Sequence, residues 1–234
     1  MMEKLLTIDS GNTNTTVGLY SKGPLSVCSL KDFKKEENKK VETVLYSNVG
    51  KSFEKWEGPR FINIKEYLIE NSLLDMPVNY GESIGEDRLA ACYQVFQEWI
   101  KPRKVNRAMV VDAGTFTTID LVTRDGFEGG HIFPGTSTLF DSFKSGANLP
   151  GLDLTEQVQD KLIPRSTTDA MKASIQLAER GLYEKWWDLF RPEVIVLSGG
   201  LSFWHQNYFP KELVLKPNIV HLGLKEVFTN SAQQ

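Results

Sequence analysis

The stretch Leu5-Leu6-Thr7-Ile8-Asp9-Ser10-Gly11-Asn12-Thr13-Asn14-Thr15-Thr16-Val17-Gly18-Leu19 constrains this chain more than any other. An apolar, β-prone run ends in a carboxylate, a tight polar turn follows, and a second β-prone run leaves it. Gly11 lets backbone approach a ligand closely, and the hydroxyl and amide groups of the turn can face an anion. Asp9, at the strand end, can hold a metal ion or its waters. A single hairpin of this kind says little, but the chain has a second. Val110-Val111-Asp112-Ala113-Gly114-Thr115-Phe116-Thr117-Thr118-Ile119-Asp120-Leu121-Val122 repeats the order of strand, Asp, small residue, Gly, polar turn, Thr-Thr and strand, with a turn one residue shorter. Two repeats this far apart indicate a duplicated domain rather than a solenoid. If the halves face each other, two carboxylate-bearing turns meet across a cleft suited to a nucleoside triphosphate and its cations. The plainer alternative is a pair of ordinary Gly-containing hairpins whose Asp residues merely end strands.

A third segment bears on chemistry. Ser83-Ile84-Gly85-Glu86 reads as a capping box, with Ser83 as N-cap and Glu86 three residues on. The helix behind it is expected to bury Leu89, Cys92, Tyr93, Phe96 and Ile100 and to stop at Pro102. Asp87 and Arg88 then lie in the first helical turn, where the helix dipole favours an ionised carboxylate. An ionised Asp can accept the proton of an attacking hydroxyl, and Arg offers a planar fork to an oxyanion or carbonyl. Periodicity alone favours a blander view, in which Glu86 and Asp87 are good helix starters and Arg88 is a surface charge.

The remaining pattern completes two similar halves. Residues 4–9, 15–20 and 25–30 read as an antiparallel meander, and 41–47 as a further strand. The mixed charge run 31–40 reads as a solvated face. Residues 61–74 fit helix or strand equally. The second meander is expected at 108–112, 117–123 and 127–132. The run from Gly129 to Gly135 is too rich in Gly and Pro to continue as a central strand. A helical stretch is expected at 136–145. Ser166 caps another helix carrying Ala170, Ile175, Leu177, Ala178 and Leu182, with Trp186 and Trp187 as core or subunit-interface residues. A buried strand at 193–197 leads to the turn Ser198-Gly199-Gly200, and 230–234 reads as frayed. The basic, irregular stretch from Lys101 to Arg107 marks the boundary, giving halves 1–104 and 105–234.

At 234 residues the chain can bury a substantial core. A net charge of −3 gives no electrostatic case for nucleic acid as a partner. Cys28 and Cys92 lack CxxC spacing and read as free thiols, and His131, His205 and His221 show no zinc-ligand spacing. No signal peptide or membrane-length apolar run is visible, so a cytoplasmic protein is expected. The absence of a G-x-x-x-x-G-K-[ST] sequence argues against a P-loop kinase.

The paired Asp-x-Gly-[Asn/Thr] turns resemble those of the acetate-and-sugar-kinase/Hsp70/actin superfamily. Within it, Asp9-Ser10-Gly11-Asn12-Thr13-Asn14 is similar to the opening motif of type III pantothenate kinases. Gly129-Gly130-x-Ile132-x-Pro134-Gly135 and the Gly-x-Asp-Arg motif at Gly85 to Arg88 also match that family, so the resemblance spans most of the chain. It implies an α/β fold of duplicated ribonuclease H-like (actin-like ATPase) halves, each a mixed sheet with flanking helices, with the ATP cleft between them. The implied activity is ATP-dependent phosphorylation of pantothenate to 4'-phosphopantothenate, the first step of coenzyme A biosynthesis.

The resemblance also assigns residues. Asp9, Ser10, Gly11, Asn12, Thr13, Asn14, Thr15 and Thr16 correspond to the first ATP-phosphate segment, with Thr115, Gly199 and Gly200 as further nucleotide contacts. Asp112 corresponds to an aspartate binding a monovalent cation, K⁺ or NH₄⁺, and Asp9 is a candidate Mg²⁺ ligand. Asp87 corresponds to the proton acceptor. Gly85, Glu86, Asp87 and Arg88 correspond to pantothenate contacts, as does Thr167, preceded by Ser166 in place of the commoner Asn. Tyr80 is the choice for the substrate-side tyrosine, although many relatives place it where this chain has Val78. Ser47-Asn48-Val49-Gly50 departs from the family's Ser-rich turn ending in Pro. A homodimer is implied, with no membrane and no nucleic acid partner. Two rival readings are a non-catalytic accessory or regulatory relative and another small-molecule kinase of the same superfamily.

Overall fold

A computed structural model describes residues 5–20, 24–34, 40–146, 149–151, 163–209 and 213–232. Parts of the expected turn at 21–24 and of the charge run at 31–40 lie outside the described residues. The first half begins with strands β1 (Leu5–Ser10), β2 (Thr15–Leu19) and β3 (Ser26–Ser29), followed by β4 (Thr43–Asn48) and β5 (Arg60–Asn63). They form one sheet in the order β3-β2-β1-β4-β5. β1 pairs antiparallel with β2 and parallel with β4. The expected meander is therefore present. The ambiguous stretch at 61–74 resolves into the end of β5, a 3₁₀ turn over Ile64–Tyr67, and two short strands, β6 (Leu68–Ile69) and β7 (Ser72–Leu73). These pair with β8 (Met76–Pro77) in a separate small sheet.

Helix α1 (Glu86–Val95) continues into a π-helical turn over Phe96–Ile100. All five apolar residues expected on its inner face are buried. Its start differs from expectation. Gly85 occupies the N-cap with no side-chain cap bond, so Ser83 does not cap this helix. Glu86 instead accepts from the backbone N–H of Asn48 and from Nδ2 of Asn63, which draws the helix start onto the ends of β4 and β5.

The second half repeats the plan. Strands β9 (Arg107–Ala113), β10 (Phe116–Thr123), β11 (Gly126–Pro134), β12 (Val194–Ser198) and β13 (Leu213–Leu215) form a sheet in the order β11-β10-β9-β12-β13. β9 pairs antiparallel with β10 and parallel with β12, as β1 does with β2 and β4. The Gly- and Pro-rich run lies in strand as far as Pro134, two residues past the expected end at 132, but not in a central strand. β11 tolerates it because it is an edge strand, where one side of the backbone needs no ladder partner. Helices α2 (Thr136–Ser142), α3 (Thr167–Phe190) and α4 (Ser202–His205) flank this sheet.

Ser166 caps α3, accepting from the backbone N–H of Asp169. The buried face of α3 carries Met171, Ile175, Glu179, Tyr183 and Trp186, whereas Leu177 and Ala178 face outward. Trp186 is a core residue whose Nε1 donates to Nδ1 of His131. The last helix, α5 (Ile219–Ser231), includes Asn230 and Ser231, the first two of the residues expected to fray, and packs on α1, β1 and β4; residues 233–234 lie outside the described residues. The chain thus returns to its first half. One apolar cluster contains Leu5, Leu45 and Ile62 from the first sheet, α1 residues, Val110, Val122 and Val194 from the second, and Leu224 of α5.

Candidate active site

Each carboxylate-bearing turn is built in the same way. Asp9 lies opposite Ser47 of β4, and Asp112 opposite Ser198 of β12. Behind each turn a glycine from the loop after the parallel strand touches turn backbone. A Cβ on Gly50 would lie 1.9 Å from the Gly11 carbonyl oxygen, and one on Gly199 would lie 2.4 Å from that of Ala113. No side chain fits in either place without a shift of the turn. Gly199 also adopts φ +93, a left-handed conformation that favours glycine. The backbone N–H groups of Val49 and Gly50 donate to the Ser10 carbonyl, and that of Leu201 to the Ala113 carbonyl.

The two turns meet. Thr13 Oγ1 and Thr115 Oγ1 are 2.6 Å apart, a hydrogen bond joining segments 102 residues apart in sequence. Asn12 and Thr13 are exposed. The Ser10 hydroxyl is buried, within 3.1 Å of Thr15 Oγ1, and donates to the Lys51 carbonyl, so it holds the turn together. Thr16 similarly turns toward the protein, its Oγ1 2.9 Å from Nε2 of His221. Gly11 and Asn14 close the turn through a backbone bond of 3.0 Å. Gly200 is open, with no atom within 4 Å of where its Cβ would lie.

Asp87 joins these turns electrostatically. Burial pushes the Asp112 carboxyl up to about 7, and the charges of Asp87, Asp9 and Asp120 add to the shift. Burial pushes Asp9 up to about 6, against the hydrogen bond donated by Ser47 Oγ at 2.7 Å and with Asp87 adding to the rise. Burial also raises Asp87, opposed by the Arg88 backbone N–H, which donates to its Oδ1 at 2.7 Å. Carboxylates from two turns and a helix start therefore share one low-dielectric region.

Arg88 is not a surface charge. It is buried and forms an ion pair with Asp120, its Nη2 donating to Oδ1 at 2.5 Å and its Nε contacting both carboxylate oxygens at 3.1 Å. Its Nη1 reaches the Tyr80 hydroxyl at 3.4 Å. The guanidinium lies over the rings of Tyr80 and Phe127, with its carbon 5.1 and 5.5 Å from their centroids. Sequence reasoning passed over Asp120, although it sits within the repeated motif. Gly129 and Gly130 acquire a steric role: a Cβ on Gly130 would lie 2.4 Å from Asp120 Oδ1, and one on Gly129 3.1 Å from the Tyr80 ring. Tyr80, Asp87, Arg88 and Asp120 are thus drawn together, with Gly85 and Glu86 at the helix start. Thr167 stands apart. It is exposed at the start of α3, and no hydrogen bond joins it to Tyr80, Asp87 or Arg88.

This arrangement defines the fold class: two mixed sheets of identical order with flanking helices, as in the actin-like ATPase and sugar-kinase folds. A solved structure from Campylobacter jejuni, provisionally assigned to the Baf family of transcriptional activators, superposes with a TM-score of 0.64 at 21% identity, covering 98% of this chain and 100% of its own. Another from Sinorhizobium meliloti, provisionally assigned as a 2-dehydro-3-deoxygalactonokinase, gives 0.57 at 11% identity over 97% and 99%. At such identities the likeness is one of fold. Sequence resolves the family. Residues 30–188 match type III pantothenate kinase, and the chain belongs to that family. A type III pantothenate kinase of Campylobacter hominis is 29% identical over 215 residues, 92% of this chain and 94% of the relative. That of Aquifex aeolicus is 26% identical over 233 residues, 96% of each.

Proposed function

We propose that this protein transfers the γ-phosphoryl group of ATP to the primary hydroxyl of pantothenate, the step that opens coenzyme A biosynthesis. The observation that carries the proposal is the electrostatic influence of Asp87 on Asp9 and Asp112 in a chain of this family. The turns at Asp9 to Thr16 and at Thr115, with Gly199 and Gly200, hold the nucleotide. Exposed Asn12 and Thr13 and the open backbone at Gly200 suit phosphate contacts. Asp87 orients the acceptor hydroxyl and takes its proton. Its burial raises its basicity, while the Arg88 N–H limits that rise. Asp120 fixes Arg88 from behind and leaves Nη1, beside Tyr80, as the edge that faces the acceptor.

Phosphoryl transfer depends chiefly on positioning and on neutralising charge. The donor set fits cations, since Asp9 and Asp112 are raised partly by neighbouring carboxylates and Arg88 is committed to Asp120. Among the described residues no three carboxylate, His or Cys side chains converge as a ready metal cage. Mg²⁺ commonly takes one or two carboxylates and completes its shell with substrate phosphates. Asp9 would hold Mg²⁺, and Asp112 a monovalent cation, K⁺ or NH₄⁺. Bound there, they would supply positive charge to the phosphoryl oxygens.

A homodimer in the cytoplasm completes the proposal. Outward-facing Leu177 and Leu189 on α3, with the half-buried Trp187, support a subunit contact. Thr167 would then act at a site near that contact. Among the described residues no helix is long and apolar enough to cross a membrane. A coupled assay of ATP turnover against pantothenate and a panel of sugars and sugar acids tests the function. Turnover with pantothenate alone is expected, and turnover only with a sugar would replace the proposed acceptor.

A further inference from the structure

Behind the Asp112 turn lies a buried polar network that the reaction chemistry does not itself use. Thr136 Oγ1 donates to Glu179 Oε1 at 2.5 Å and lies 2.9 Å from His205 Nε2. The Tyr183 hydroxyl is 2.7 Å from His205 Nδ1. Tyr208 donates to the other Glu179 oxygen at 3.4 Å. Thr136, Glu179 and His205 are all at most 1% exposed.

The protons in this network can be assigned. Thr136 has one hydroxyl proton and gives it to Glu179, so toward His205 it can only accept. Nε2 of His205 therefore carries the ring proton. Nδ1 is the acceptor, and the Tyr183 hydroxyl donates to it. Burial pushes His205 down to about 4, which keeps the ring neutral as this assignment requires. With Glu179 ionised, the bonds from Thr136 to Glu179, from His205 to Thr136 and from Tyr183 to His205 each have one donor and one acceptor.

The location gives the network its purpose. Thr136 opens α2 directly after Gly135, whose backbone N–H donates to the Thr115 carbonyl, and Thr138 Oγ1 donates to the same oxygen at 2.7 Å. His205 ends α4, and Leu201, its N-cap, donates its N–H to the Ala113 carbonyl. The two helices thus grip successive parts of the Asp112 turn from either side. The Thr136–His205 bond ties them together, and α3 supplies Glu179 and Tyr183 as the fixed post. We propose that Thr136, His205 and Glu179 are positioning residues that set the spacing of the Asp112–Thr115 and Gly199–Gly200 turns, and hence the affinity of the nucleotide side of the cleft. This rests on the reading of those turns as the ATP site.

Three variants test it: Thr136→Val, which keeps shape and loses the hydroxyl, Thr136→Ser, which keeps the hydroxyl, and the milder Tyr183→Phe. ATP affinity is measured by direct titration of the folded protein, alongside KM for each substrate. For Thr136→Val we expect ATP affinity to fall ~10–100-fold, the loss typical when groups orienting a site's ligands are removed. KM for pantothenate should hold, because Tyr80, Asp87, Arg88 and Asp120 lie on other elements. Thr136→Ser should restore ATP affinity to within ~2-fold, and Tyr183→Phe should weaken it in the same direction as Thr136→Val. Unchanged ATP affinity in folded Thr136→Val would overturn the proposal. So would equal losses for both substrates, or a Ser variant as impaired as Val. If Thr136→Val does not fold, Tyr183→Phe decides by the same criterion. The titration needs no acceptor, so wild-type protein that binds ATP but ignores pantothenate would refute the proposed acceptor and leave this test intact.

Discussion

At the residue scale, the chemistry depends on negative charge held where water is scarce. Asp112 is displaced from its ordinary value of 3.8 to about 7 and Asp9 to about 6. Between roughly pH 4 and 7 the folded protein therefore binds more protons at these positions than the unfolded chain does. The contribution of these two groups to stability falls as pH rises through that window, while buried His205 and His221, pushed down to about 4, act in the opposite direction up to about pH 6.5. In buffer free of K⁺ and Mg²⁺, Asp112→Asn should therefore shift the change in melting temperature between pH 5 and pH 8 in the upward direction relative to wild type. An identical pH dependence of Tm in the variant and the wild type would contradict the assignment. Asp120 makes a separate case. Asp120→Asn leaves the buried Arg88 guanidinium without its counter-charge, a change that typically costs ~3–5 kcal/mol. Denaturant unfolding should register that loss, and KM for pantothenate should rise as Arg88 loses its fixed orientation. An unchanged unfolding midpoint would show that the pair contributes nothing.

At the element scale, glycines decide how closely strands and turns approach. Gly50→Ala would drive a methyl into the Gly11 carbonyl and push the first phosphate turn off its seat. ATP affinity should fall ~10–100-fold, the scale of loss caused by a displacement of about 1 Å, with KM for pantothenate little changed. Equal ATP affinity in the variant would mean the turn has room to move. The strands, the two turns and α1 with its buried face were legible in the sequence because alternation and helical spacing are local signals. The start of α1 was misread. Ser83 and Glu86 have the right spacing for a capping box, yet Glu86 is drawn away by Asn48 and Asn63, partners contributed by β4 and β5. The extension of β11 past Ile132 to Pro134 was equally hidden, because a strand's edge position depends on the assembled sheet. Asp120 and Glu179 escaped notice for a related reason. Each looks like a charge on an ordinary strand or helix until its distant partners, Arg88 and Thr136, are in place.

At the scale of the whole molecule, duplication creates the cleft and α5 closes the structure behind it. His221 of α5 lies 2.8 Å from Thr7 Oγ1 and 2.9 Å from Thr16 Oγ1, so the last helix reaches the hairpin that carries Asp9. A division at 104/105 separates the two repeats but leaves α5 packed on the first. The proposed homodimer belongs to this scale too. Sedimentation at micromolar concentration should show a dimer, and replacing Leu177 and Leu189 together by Lys should release monomers. A monomeric wild type would remove the subunit contact from the account. The central claim is that Asp87, brought to the two turns by the start of α1, is the base for phosphoryl transfer to pantothenate. The most direct measurement compares kcat for pantothenate in wild type and Asp87→Asn, with ATP binding titrated on the same samples. A fall in kcat of ~10²–10⁴-fold with nearly unchanged ATP affinity is the predicted result. An Asn variant that keeps more than about half the wild-type rate would contradict it, since that lies far outside the loss expected for a general base.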